Sequence, residues 1–508
     1  MASRLSAFGL SRRSFLGTLL VSGAGAILAA CSSAPAAAPT TAPAAAPTTA
    51  PAAAPTTAPA AAPTTAPVAA PTTAPAAAAA PTVAKPAATA VPTQAPAAGA
   101  AKTQIEFYSP ATDKLGKEII ARLADQYNQK SSKIQVKVTT VPTDNHYAKY
   151  VTAIAGGQAP DTIMTYDYSP IVDWAAQGFI VPLDAYQASM GIKPDDYFPV
   201  AWNMISFHGH LWGFLQEFDY YLLSWNKGLF QKAGLDPEKA PKTTDEMDKL
   251  AEQLTVKDSS GNLKQIGFCP WITGNTNLWT AIWGGKYYDP AKDNWTIVSD
   301  QNIAALDWYT KYAKLLGGPE KVTAFQKLFT GDQTPFYSEQ LAMYAMGEWL
   351  PITMPEVAPK IQFGLGFPPT GPGVAYGTGQ TDGGNVIVLP KGAPHADQGA
   401  DFMSYLGGKE AVLQWNVEEN NVPPVKAVAF DDAFIKKVPL MKPWIDLLKE
   451  DKMVPAPTSP IAPFFSDQLS TARDEVIFGR KSPKDALTDL SKKVDDQVKQ
   501  FKTSHPSW

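Results

Sequence analysis

From residue 102 onward the chain alternates two hydrophobic rhythms. "TQIEFYSP" (103–110) reads as a strand entering a loop. Leu115, Ile119, Leu123 and Tyr127 then recur every four residues, which predicts one apolar helical stripe. "KIQVKVTTVP" (133–142) alternates as a second strand. A helix from about Asp144 stops at Gly156-Gly157, and "TIMTYD" (162–167) is a third strand. "SPIVDWAAQG" (169–178) has serine as N-cap, proline in the first turn and glycine at the stop. Thr243 and Glu246 have capping-box spacing at the head of another helix. Further helices fit 300–316, 395–406, 439–450 and 483–501. Strands alternating with amphipathic helices over 102–508 predict an α/β protein with largely parallel sheets, too long for one ordinary sheet and therefore two-lobed.

Residues 1–101 are of another kind. Proline stands at every fourth position from Pro35 to Pro75, and "APAAAPTT" recurs with a period of eight. Proline removes backbone donors and fixes φ, so 32–101 is expected to be an extended, disordered tether. At about 3.1 Å per residue it could span on the order of 200 Å. Ahead of it, "SRRSFLGTLLVSGAGAILAAC" (11–31) is too short and too rich in small residues for a membrane span, and reads as an export signal. "SRRSFL" resembles the twin-arginine signal, with Gly17 where that motif often has lysine. "LAAC" resembles the bacterial lipobox, which implies acylation of Cys31 and anchoring to the cell membrane on its extracytoplasmic side.

Charge narrows the function classes. Residues 1–101 carry four basic and no acidic side chains, so the overall net charge of −4 leaves −8 on the remainder, which argues against nucleic acid as a partner. Of the 53 aromatic residues only Phe8 and Phe15 precede residue 102, a density that suits a large core or stacking surfaces for flat ligands. Cys269 is the one cysteine besides Cys31, so no internal disulfide is expected and a small buried core residue is the plain reading. There is no G-x-S-x-G, H-E-x-x-H, phosphate-loop or G-x-G-x-x-G motif. His208 and His210 could share a strand face and a metal, but turn histidines beside Gly209 are the plainer account, and no metal or cofactor is expected. Neighbouring tyrosines at 220–221 and 287–288 would point to opposite faces of a strand, which favours core packing over a phenolate pair.

Four motifs in order resemble the sugar-binding type (family 1) of bacterial extracellular solute-binding proteins, the receptors of ABC importers. They are "GHLWGFLQEFDYYLLSWNKGLFQKAG" (209–234), "VTAIAGGQAPDTIMTYD" (151–167), "LAMYAMGEWLP" (341–351), and "FGLGFPPTGPG" (363–373) with "GGNVIVLP" (383–390). Leu215 replaces the proline usual in the first. The resemblance implies a periplasmic-binding-protein fold: two lobes, each a mainly parallel sheet flanked by helices, joined by crossing strands with ligand between them. Carried over, the crossings fall at about 217–221, 341–349 and 390. Lobe 1 is then about 102–217 and 345–390, and lobe 2 about 220–340 and 395–508. It further implies a non-enzymatic, monomeric receptor that delivers a mono- or oligosaccharide to permease subunits.

Glu217 and Asp219 stand inside an aromatic run. At i and i+2 of a strand they would share a face, about 6.6 Å apart. Carboxylates accept paired hydroxyls and aromatic faces cover pyranose C–H faces, so the pair suits a sugar; acids that cap amides or form ion pairs are the alternative. The resemblance adds Tyr108, Ser109, Tyr166, Asp167, Glu348 and Trp349 to the cleft. "WITGNTNLWTAIWGG" (271–285) adds Trp271, Asn275 and Trp279, with Trp283 on the same helical face as Trp279, a spacing as compatible with core as with cleft. A polyamine is the alternative ligand, since carboxylates and aromatics also hold ammonium groups. A surface glycoside hydrolase is a distant one, because its two carboxylates must flank a scissile bond.

Overall fold

The computed structural model describes residues 101–508 except 112–113, 143–145, 167–168, 218, 330–333, 349, 382, 450–451 and 507. The signal, Cys31 and the tether lie outside the described residues, as do Asp167 and Trp349.

The first lobe is built on a five-stranded sheet. Strands β1 (Thr103–Ser109), β2 (Ile134–Thr140) and β3 (Thr162–Thr165) are parallel, with Thr103 opposite Ile134 and Phe107 opposite Thr162. Two short strands continue the sheet in the order β2-β1-β3-β8-β4: β4 (Phe214–Leu215) and β8 (Val386–Val388), with β8 antiparallel to both neighbours. The helix Lys114–Lys130 forms where the four-residue stripe predicts it, and buries Ile119, Leu123 and Tyr127 beside Ile105 and Phe107. His146–Ala155 and Ser169–Ala176 follow as the capping signals indicate.

The second lobe departs from the mainly parallel expectation. Its sheet has three strands, β5 (Tyr221–Asn226) flanked by β6 (Met343–Gly347) and β7 (Phe363–Gly366), both antiparallel to it. Every residue of β5 and β6 is buried, so these strands show no apolar-polar alternation and the pattern does not reveal their pairing direction. Helices cover the sheet. Thr244–Leu254 starts with the capping-box pair: the Thr243 hydroxyl accepts from Glu246 N at 3.2 Å, and the Glu246 carboxylate accepts from Lys242 N at 2.7 Å. Asp300–Leu316 matches the expected bounds and buries Trp308, Tyr309 and Tyr312.

Two lobe boundaries differ from expectation. Residues 341–348 do not return the chain to the first lobe; β6 is the edge of the second sheet, and the return comes after Gly379–Thr381, at 383–385. The helices Ala396–Leu406 and Lys409–Glu419 belong to the first lobe. The Phe402 ring lies 5.4 Å from Phe107 and 5.0 Å from Tyr127, and Lys130 pairs with Glu410 at 2.9 Å. A third crossing, absent from the sequence reading, pairs Met453–Pro455 in parallel with Gly379–Thr381 and leads to the helices Ala462–Ile477 and Pro483–Ser504 of the second lobe. Amphipathic spacing tells a helix which face to bury but not which sheet to bury it on.

Backbone approach fixes the second sheet. A Cβ at Gly364 would sit 2.1 Å from the Trp225 indole, which is held by its N–H donating to Pro237 O at 2.8 Å. Gly364→Ala is therefore expected to lower the unfolding free energy by about 1–3 kcal/mol. Chemical denaturation checks this; an unchanged midpoint and slope would mean the indole yields freely.

Candidate ligand-binding site at the strand crossings

Residues 216–220 carry the chain from β4 to β5, and 383–385 bring it back alongside. Gln216 N donates to Asn385 O at 2.8 Å, and Asp219 N to Gly383 O at 3.2 Å. A side chain at Gly383 would meet the Asp219 carboxylate at 2.6 Å, so glycine permits this close approach. Glu348, just past β6, arrives from the second lobe, and its Oε2 accepts from Tyr220 N at 3.0 Å. Three carboxylates from two lobes thus meet at one crossing. Glu217 and Glu348 are 2% and 0% exposed and Asp219 is half-buried.

The Glu217 carboxylate and the Asp219 backbone are each held by a residue distant in the chain. Glu217 Oε2 accepts the indole N–H of Trp415, while Asp219 forms a single bridge to Gly383. Burial pushes the Glu348 carboxyl well above the usual carboxylate range, and the neighbouring Asp219 and then Glu217 push the same way; the Tyr220 N–H opposes them only in part. Glu348 Oε1, both amide atoms of Gln216 and of Asn421, and Asn385 Nδ2 are buried without a hydrogen-bond partner among the described residues.

The first-lobe wall lies where the parallel strands end. Tyr108 and Tyr166, at the ends of β1 and β3, are half-buried. Between them sits an aromatic group that sequence reading missed: His146, Tyr147 and Tyr150. The His146 ring is 6.4 Å from Tyr166, and Tyr150 is 6.1 Å from Tyr108. The available signal was their place at the start of the helix after β2, since loops after parallel strands converge. Ser109 turns inward instead; it is buried, its hydroxyl donates to Met164 Sδ at 3.8 Å and accepts from Ala111 N at 3.3 Å.

On the second lobe, Asn275 caps the helix Thr276–Ala281 through Leu278 N at 2.8 Å and donates to the Tyr221 hydroxyl at 3.0 Å, which places it beside the crossing. Trp271 is half-buried and stacks on Tyr309. Trp279 is not in the cleft. It is fully buried, packs edge-on to Phe268 at 5.2 Å and donates to Thr273 O at 2.9 Å. Its helix turns that side chain to the lobe core, while half-buried Trp283 abuts Gly371. Tyr220 packs in the first-lobe core and Tyr221 in the second, the opposite-faces arrangement expected of neighbours on a strand. His208 is exposed, and His210 faces Asp184 at 3.0 Å.

The Glu348 shift has a pH consequence. A carboxyl raised above its unfolded value of 4.5 contributes stability that is fully present below that pH and lost as pH rises toward its folded value. Glu348→Gln removes this dependence. Its ligand-free melting temperature should gain on the parent as pH is raised from 4.5 to 8. Parallel melting curves across that range would mean that Glu348 carries its charge without penalty.

The description "bacterial extracellular solute-binding protein" matches residues 111–413. An uncharacterized ABC transporter extracellular-binding protein of Pyrococcus horikoshii is 24% identical over 370 residues, 70% of this chain and 78% of that one. An sn-glycerol-3-phosphate-binding periplasmic protein of Pectobacterium atrosepticum is 25% identical over 436 residues, 79% of this chain and 93% of that one. Among solved structures, CpMnBP1 with mannotriose bound superposes with a TM-score of 0.67 at 25% identity, covering 77% of this chain and 99% of its own. A cyclic α-maltosyl-1,6-maltose binding protein from Arthrobacter globiformis shares the fold, with a TM-score of 0.63 at 18% identity over 79% of this chain and all of that one. With two lobes, crossing strands and a family match over most of its folded body, this chain belongs to the bacterial extracellular solute-binding proteins.

Proposed function

We propose that the protein captures a neutral sugar, a mono- or oligosaccharide, between its lobes and delivers it to an ABC importer, held at the membrane by an acylated Cys31. The observation that carries the sugar reading is the carboxylate cluster Glu217, Asp219 and Glu348, set between lobes beside half-buried tyrosines. Carboxylates accept hydroxyl donors, and the tyrosine faces can cover C–H surfaces. One structural neighbour has mannotriose bound and another is named for binding a cyclic maltose derivative, which agrees with this chemistry. A phosphate dianion would bring further negative charge against the cluster, so sn-glycerol-3-phosphate, named for several relatives, fits poorly. The same acids favour one second reading, a cationic ligand such as a polyamine.

Thermal shift with mannobiose, mannotriose, maltose, sn-glycerol-3-phosphate and spermidine separates these readings. A bound sugar at 100 times its Kd adds about 2.7 kcal/mol to stability. Stabilisation by spermidine alone would replace the sugar by the cation. In calorimetric titration, Asp219→Asn should weaken sugar binding roughly ten- to a hundred-fold, because a charge-assisted acceptor contributes about 1.5–3 kcal/mol. Unchanged affinity would remove Asp219 from the ligand contacts. For the anchor, Cys31→Ala should abolish metabolic labelling with palmitate; persistent labelling would place the acyl group elsewhere.

A further inference from the structure

The helix Lys409–Glu419 lies outside the motifs that carry the family resemblance, yet its C-terminal end reaches one carboxylate and the backbone beside the acids at two further points. Trp415 is fully buried, and its indole N–H donates to Glu217 Oε2. Asn416, also fully buried, divides its amide between Val412 O of its own helix at 2.8 Å and Gln216 O of the crossing at 2.9 Å. Asn420 ends the helix in a left-handed conformation, φ 52°, and its amide donates to Glu348 O at 3.1 Å. The helix itself is fastened to the first lobe, through Arg122 to Glu418, Lys130 to Glu410 and Gln126 to Gln414.

We infer that Trp415, Asn416 and Asn420 are positioning residues, which hold Glu217, the crossing strand and Glu348 in register from behind the site. The reasons are geometric. An indole has one donor and a rigid ring; buried on all sides, it restricts a carboxylate oxygen to one place. Asparagine is among the few residues that tolerate a left-handed backbone, so residue 420 can stop the helix and still aim an amide outward. The three bonds bind a first-lobe helix to the crossing strand and to the end of a second-lobe strand. The spacing of the acids is then set by the first lobe, although Glu348 comes from the second. This inference rests on the proposed ligand site only for its effect on affinity.

The test uses the full-length chain and three variants. Trp415→Phe keeps the ring and loses the donor. Asn420→Gly keeps the left-handed backbone and loses the amide. Trp279→Phe is the control, because it loses an equally buried indole bond, to Thr273 O, away from the acids. Without ligand, the readout is hydrogen exchange at the Tyr220 amide, which donates to Glu348 Oε2. Exchange there should be at least ten-fold faster in Trp415→Phe and Asn420→Gly and unchanged in Trp279→Phe, even if all three melt earlier. Unchanged exchange in the first two, or equal acceleration in the control, overturns the positioning role. Titration with mannotriose adds a second arm: Trp415→Phe should bind about ten-fold more weakly than the parent, and Trp279→Phe within two-fold. Parental affinity in Trp415→Phe also overturns the proposal. If the parent binds no mannotriose while the exchange result holds, the positioning role stands and the oligosaccharide reading is what fails.

Discussion

Three carboxylates, Glu217, Asp219 and Glu348, share a space from which most water is excluded, and the surrounding architecture answers to their mutual repulsion. A buried carboxylate must find donors or keep its proton. Glu217 has the Trp415 indole, Glu348 takes the Tyr220 amide and has its carboxyl pushed upward by burial and its acidic neighbours, and Asp219 lies half-open against a glycine that gives it room. Such a cluster is a poor way to stabilise a fold, since apolar residues of the same volume would do it at lower cost. Its presence at the junction of two lobes is what the proposed site for hydroxyl groups rests on.

The path of the chain explains how the cluster is assembled. Glu217 and Asp219 lie on the first crossing, the return crossing lines up beside it through Asn385 and Gly383, and Glu348 follows the edge strand of the second sheet. Tyr220 and Tyr221 divide between the two cores, so the crossing strand is gripped on each side by a different lobe. The aromatic wall of Tyr108, Tyr166, His146 and Tyr150 is added by the first lobe alone, at the ends of its parallel strands. A ligand seated among these groups would touch both lobes, which is the condition for it to favour one lobe arrangement over another.

Local structure was legible in the amino-acid order because local structure is made of near neighbours. The stripe from Leu115 to Tyr127, the Thr243–Glu246 cap and the bounds of Asp300–Leu316 needed only periodicity and end signals. The alternation of strands and helices, the aromatic richness of the body and four ordered motifs sufficed for the two-lobed class and for the family. So did the presence of acids in the 217–219 run, since charge inside an apolar stretch is conspicuous at any resolution of the fold.

What only the tertiary structure decided is which surfaces meet. Periodicity says that a face is buried and leaves the burying partner open: the sequence alone assigns Ala396–Leu406 and Lys409–Glu419 to the second lobe and makes β6 a crossing, whereas the fold packs both helices on the first lobe and sets β6 at the edge of a sheet. Trp279 and Trp283 have the same helical spacing, yet the fold buries one completely in the second-lobe core and leaves the other half-buried. His146, Tyr150 and Trp415 carry no motif and enter the site only because strands and helices distant in the chain converge there. The amino-acid order by itself determined the elements, the class and the charged residues at issue. The environment of those residues is a sum over contacts between segments up to two hundred positions apart, and no local pattern contains that sum.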